Sequence, residues 1–246
     1  MKKRIPRIYI KYFLQINQVI SLSKSYTHYI KKVLRMKKKD KLEIFNNTNY
    51  IFFSEILEIN NHTIEIIILK KQIKNLESPL LIHLGQVISK NEKMNFSIQK
   101  SVELGVNTIT PLFSEYCNFQ NKLICFPKKK IHWENIVISS CEQCHRNNIP
   151  EIKNPEYILP WCKRTYENET KIVFSPSATF TINELPEKIN CVRLLIGSEG
   201  GFSFLEIEKI IQYGFIPIKL GPRILRTETA VIAAITALQI KFGDLS

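Results

Sequence analysis

Apolar and polar positions along this chain follow two different rhythms. Over roughly the first seventy residues, short β-rich runs alternate with polar turns: RIYIKYF, KLEIFNNTNYIFFSEILEI and HTIEIIILKK. NNTN falls between two such runs, as a hairpin loop does. One short helix is predicted at SYTHYIKKVLRM, where Ile30, Val33 and Leu34 recur at helical spacing. This is the pattern of a small β-barrel. The polar stretch KKQIKNLESP, closed by Pro79, marks a boundary, so the domains are read as residues 1–74 and 75–246.

Beyond that boundary, strands are separated by helical segments. LLIHLGQVI is strand-like, KNEKMNFSIQKSVELG is an amphipathic helix ended by Gly105, NTITPLF is a strand, and IHWENIVISSCEQCHR is a second helix. There follow KIVFS, the strand CVRLLIG, the helix FLEIEKIIQYG, the strand FIPIKLG and the last helix TETAVIAAITALQIKFG. Such alternation predicts a mostly parallel α/β sheet.

Two strand-to-helix turns in this half carry chemistry. In GSEGGFSFLE, Ser203 and Glu206 have the spacing of a capping box, so the helix starts near Ser203 and the glycines lie between strand end and helix start. Ligands of open α/β sheets bind there, and Gly200 and Gly201 can take positive φ and let a ligand approach. The spacing is neither GxGxxG nor GxxxxGK[ST], and the carboxylate of Glu199 repels a pyrophosphate. The turn therefore suits a cationic, hydroxyl-bearing or amide-bearing ligand. In IKLGPRILRTETAV a second Gly turn carries Arg223, Arg226, Thr227, Glu228 and Thr229. Helix capping accounts for Thr227 and Glu228. It does not account for two arginines at a helix N-terminus, where the dipole disfavours cations.

Charge and cysteine content change the picture only modestly. The net charge of +13 favours a polyanionic partner such as nucleic acid, although lysine is abundant throughout. Arginine is scarcer, and three of the eight, Arg146, Arg223 and Arg226, fall in the dense motifs. The six cysteines read as thiols, with Cys141 and Cys144 in one helix and no zinc-type spacing, so no metal is expected. No apolar run reaches the roughly 18 to 20 residues of a membrane span, and MKKRIPRIYIKYF lacks a signal-peptide core. A cytoplasmic protein with no membrane partner is expected.

LLIGSEGGFSFLEIEKI followed by KLGPRILRTETAVIAAI resembles the two signature segments of the RsmE family, the small-subunit ribosomal RNA uracil-N3 methyltransferases of the SPOUT class. HYIKKVLRM, KMNFSIQKSVELGVNTITPLFSEYC and WENIVISSCEQCHRNNIPEI resemble further family segments in the same order. The chain departs from the family's pattern at Ser198, where Pro is usual, and at Lys39-Asp40, where Gly-Asp is usual.

The resemblance implies a PUA-like β-barrel followed by a SPOUT-type α/β domain with a trefoil knot. It also implies a homodimer that uses S-adenosyl-L-methionine to methylate N3 of a uridine in 16S rRNA of the small ribosomal subunit. Cofactor contacts are expected at Phe174 and Ser175 in a first loop, at Gly197, Glu199 and Gly200 in a second, and at Leu220, Gly221, Ile224 and Leu225 in a third. Removing the N3 proton leaves negative charge on the ring, which a guanidinium stabilises. Arg226 is the first candidate for that role and Arg146 the second, with Glu228 as proton acceptor. Arg7, Arg35 and Lys100 are the candidates for RNA phosphate contacts. Trp133 and Trp161 are read as packing residues. Rival readings are a methyltransferase of the same class acting on transfer RNA or large-subunit RNA, and a non-catalytic RNA-binding assembly factor.

Overall fold

A computed structural model describes residues 5–60, 62–117 and 126–245, which divide into two compact units. The first comprises Met1–Glu77 together with Cys141–Ile149; the second comprises Ser78–Ser140 and Pro150–Ser246. The change of rhythm thus falls at Glu77 rather than at residue 74, and the first unit takes in a later segment that periodicity does not mark.

The first unit holds strands β1 (Arg7–Tyr9), β2 (Val19–Ser21), β3 (Lys41–Phe45), β4 (Tyr50–Ile59) and β5 (Ile64–Ile73). They form one sheet in the order β1-β3-β4-β5-β2, with β1 parallel to β3 and the remaining pairs antiparallel. Helix α1 (Lys24–His28) starts where Ser23 Oγ accepts from the Tyr26 N–H, and it runs into a π-helical turn over Tyr29–Val33. Alternation along the strands directs Ile44, Phe52, Ile56, Ile64, Ile66 and Ile68 into one apolar core, which Ile30 and Met36 of the helical segment join.

The second unit is a parallel sheet of β6 (Leu81–Val87), β7 (Thr108–Phe113), β8 (Glu151–Ile152), β9 (Glu156–Tyr157), β10 (Thr170–Phe174), β11 (Cys191–Ile196) and β12 (Ile216–Ile218). The order is β12-β10-β11-β6-β7-β8, with β9 also on β7. The chain first steps from β6 through β7 to β8, then resumes on the other side of β6, where β11 is slotted between β10 and β6. That reversal makes the C-terminal strand ends around β6 and β11 the place for a ligand. The helices are α2 (Asn91–Glu103), α3 (Phe126–Cys144), whose residues from Cys141 on count with the first unit, α4 (Ile158–Lys163), α5 (Phe204–Gln212) and α6 (Thr227–Phe242). α6 packs against α2, and fully buried Gln239 ties them by donating to the Leu104 carbonyl and accepting from Ser78 Oγ.

Gly85 interrupts the apolar run of β6 for a steric reason: a Cβ there would lie 2.5 Å from the Trp161 ring. Trp161 and Trp133 are both buried, as packing residues. No described helix is long and apolar enough to cross a membrane.

Candidate functional site

Strands β10, β11 and β12 end in loops that open on one cavity of about 560 Å³, within the range of roughly 300–1,000 Å³ usual for small-molecule sites. Phe174 and Ser175 line it from the first loop, Gly197 and Glu199 from the second, and Leu220, Gly221, Ile224 and Leu225 from the third. Arg223 and Arg226 also line it. Gly200 does not: an added Cβ there would sit 3.0 Å from the Tyr116 Cβ, so it marks a close approach of two loops.

The second loop is a tight turn in which the Gly201 N–H donates to the Ser198 carbonyl at 3.0 Å. Only Gly201 of the glycine pair takes positive φ, at 68°. The capping box is present: Ser203 Oγ accepts from the Glu206 N–H, and Glu206 Oε2 accepts from the Ser203 N–H. The other oxygen of Glu206 accepts from the Glu115 N–H at 2.8 Å, so one carboxylate caps α5 and anchors the segment after β7.

Thr227 has a different task from the helix cap expected of it. The N-cap of α6 is Arg226, which makes no side-chain capping bond, and Thr227 lies one position inside the helix. Its hydroxyl donates to the Gly197 carbonyl at 2.6 Å and accepts from Gln86 Nε2 at 3.3 Å. The second and third loops are thereby tied through the end of β6.

Electrostatically the cavity is mixed. Partial burial works against the charge of Glu199, but hydrogen bonds from its own backbone N–H, Lys93 and the Lys90 N–H, with the Lys93 charge, hold its carboxyl below the usual carboxylate range. Lys93 Nζ lies 3.2 Å from Glu199 and 3.8 Å from Glu228. Glu228 Oε2 is buried without a hydrogen bond. Arg223 and Arg226 are exposed, and their guanidiniums make no hydrogen bond or ion pair among the described residues. Guanidiniums that bond nothing in the protein are available to a ligand. An ionised carboxylate, an apolar wall of Ile196, Leu220 and Leu225 and glycine-turn backbone fit a cationic, base-bearing cofactor such as S-adenosylmethionine, and they disfavour a polyphosphate.

Four expected residues, Arg7, Arg35, Lys100 and Arg146, do not line the cavity. Arg146, Arg7 and Glu43 belong to the first unit. Arg146 is buried and paired with Glu77, and it does not line the cavity. Arg7 is not available to phosphates, because it is 6% exposed and its guanidinium is committed to Glu43 Oε1 at 2.7 Å, the Cys141 carbonyl at 2.6 Å, the Arg146 carbonyl at 2.8 Å and Asn147 Oδ1. Arg35 is exposed, and Lys100 is half-buried with its ammonium on Glu103. Lys93 is the charged cavity residue that sequence reasoning missed, along with smaller contributions such as Pro176, Ser177 and Phe202. Its position just after the C-terminal end of β6 is the signal that points to it.

The comparisons agree with this geometry. A family model described as RNA methyltransferase domain matches residues 76–239, and one described as RNA methyltransferase PUA domain matches residues 25–69. The chain is 59% identical to the ribosomal RNA small subunit methyltransferase E of Buchnera aphidicola, covering 98% of this chain and 96% of that protein. A methyltransferase of Legionella pneumophila, solved with the cofactor SAM, superposes with a TM-score of 0.94 at 41% identity over 99% of this chain and all of that one (100%). A ribosomal RNA small subunit methyltransferase E of Neisseria gonorrhoeae bound to S-adenosyl methionine gives 0.92 at 32% identity, over 99% of this chain and 100% of that chain. The α/β fold class expected from the resemblance, a SPOUT-type domain preceded by a PUA-like domain, holds.

Proposed function

The chain belongs to the ribosomal RNA small subunit methyltransferase E family, and from that premise we propose that it methylates N3 of a uridine in 16S rRNA of the small subunit, with S-adenosylmethionine as donor. The observation that carries this reading is the convergence of three loops, two of them glycine turns, on one cavity whose wall holds an ionised Glu199 and two unpaired arginines.

When bound, the cofactor supplies a methyl group activated by a positive sulfur. Backbone of the Gly197–Glu199 and Leu220–Gly221 segments and the side chains of Phe174, Ile224 and Leu225 would hold it, with Ser175 beside Phe174 in the first loop. N3 of uracil is not a nucleophile until its proton is lost. Glu228, with one oxygen free of hydrogen bonds, takes that proton directly or through water. The charge left on N3 and the two carbonyl oxygens is stabilised by Arg226, whose exposed position at the start of α6 lets it reach a bulky RNA substrate. A bound sulfonium donor would give up its methyl carbon to N3 and be left as a neutral thioether, and the roles of Arg226 and Glu228 would be to prepare N3 for that transfer.

The basic charge of +13, with Arg35 exposed, suits an RNA partner in the cytoplasm. A homodimer fits the large apolar side chains beside the site: Ile224 is 86% exposed, Phe204 73% and Leu205 65%. Sedimentation at micromolar concentration should give twice the chain mass.

The decisive assay offers labelled S-adenosylmethionine with unmodified 16S rRNA, both free and as assembled small subunits, and identifies the product nucleoside by mass spectrometry. N3-methyluridine is expected. Cofactor binding without transfer to either form would redirect the reading to another RNA, and no cofactor binding would leave a non-catalytic RNA-binding role.

A further inference from the structure

Lys93, at the third position of α2, brings three elements together at the cavity wall. Its ammonium lies 3.2 Å from Glu199 of the β11–α5 loop and 3.8 Å from Glu228 of α6. With Lys93 in place the trio carries one net negative charge; without it, Glu199, which lines the cavity, and Glu228, which does not, both lose their nearest cation. Arg223 and Arg226 line the same cavity, but both are exposed and neither is paired with these carboxylates.

This inference rests on the methyl-donor reading. S-adenosylmethionine and its product S-adenosylhomocysteine share their adenosine and amino-acid portions and differ by one methyl group and one positive charge on sulfur. Apolar and hydrogen-bonding contacts to the shared portions therefore discriminate poorly between them, whereas the charge of the wall acts on the difference itself. We propose that Lys93 is a specificity-determining residue that, by neutralising part of the charge of Glu199 on the cavity wall and of Glu228 beside it, sets how strongly the site prefers the charged methyl donor to its neutral product.

Calorimetric titration of both ligands into the full-length protein and its variants tests this. Lys93→Met should raise the ratio of donor to product affinity by roughly three- to ten-fold, Glu199→Gln should lower it by a comparable factor, and Lys93→Arg should leave it near the wild-type value. The Lys93→Met effect should shrink as salt is added. Product affinity serves as the control for folding, because that ligand lacks the charge. Ratios unchanged in both Lys93→Met and Glu199→Gln, with both ligands bound, overturn the proposal. A parallel loss of both affinities in Lys93→Met and Lys93→Arg overturns it too, in favour of a purely structural lysine. Absence of binding by either ligand to the wild-type protein would instead overturn the methyl-donor reading itself.

Discussion

Arg7 in the PUA-like unit and Arg226 in the α/β unit are the same residue in opposite circumstances. Arg7 is enclosed, with every arm of its guanidinium bonded to Glu43, Asn147 or a main-chain carbonyl. Arg226 is exposed and lines a cavity, and its guanidinium bonds nothing among the described residues. The contrast extends to the carboxylates: Glu43 and Glu77 are each taken up by an arginine, whereas Glu228 keeps a buried oxygen without a hydrogen bond. Closed polar networks hold a fold together, because breaking them strands a charge away from water. Open ones leave hydrogen-bonding capacity for something outside the protein. The location of unsatisfied groups therefore says more about function than the location of charge.

The largest effect should come from opening a closed network. Arg7→Met leaves Glu43, among the described residues, with His145 at 3.8 Å as its remaining ion-pair neighbour, and should cost about 3–5 kcal/mol of stability, read from urea unfolding. A loss below ~1 kcal/mol would mean that the network is decoration. Next comes the open arginine. Arg226→Ala should cut methyl transfer by about a hundred- to a thousand-fold while melting temperature and cofactor affinity stay close to wild type. Equal losses in transfer and cofactor binding would make Arg226 a cofactor residue instead.

His83 tests whether the closed class also exists inside the α/β unit. Burial, reinforced by the charges of Arg193, Lys153 and Arg164, pushes its imidazole down to about 4 from an ordinary 6.5. The folded chain thus resists a proton that the unfolded chain accepts. The stability this group contributes is complete above about pH 6.5 and is lost as pH falls toward 4, to a total of ~3 kcal/mol. His83→Gln, which retains a partner for Thr110 Oγ1, should flatten that part of the pH–stability curve relative to wild type. An identical acid limb in the variant would remove His83 from the account. The smallest effect is expected at Gly201, where an added Cβ meets nothing within 4 Å and φ is +68°. Gly201→Ala therefore tests backbone conformation alone, and should lower stability by about 1–2 kcal/mol. A neutral result in thermal unfolding would show that the turn relaxes.

Much of this protein was legible from residue order alone, because alternation at period two and recurrence at 3.6 record which side of a segment faces the core. The long strands, the helices α2, α3, α5 and α6, the capping box at Ser203 and the two glycine turns all follow from neighbours a few residues apart. Pairing between distant segments does not leave such a trace. Arg7 meets Arg146 across 139 positions, Thr227 reaches Gly197 across 30, and Lys93 joins carboxylates on two other elements, because the insertion of β11 between β10 and β6 brings those strand ends together. Residue type alone marked Arg7 and Arg226 alike as candidates for a polyanion or its chemistry. Only the tertiary structure, by burying one guanidinium among acceptors and leaving the other open to the cavity, decided which of them serves the fold and which faces the site.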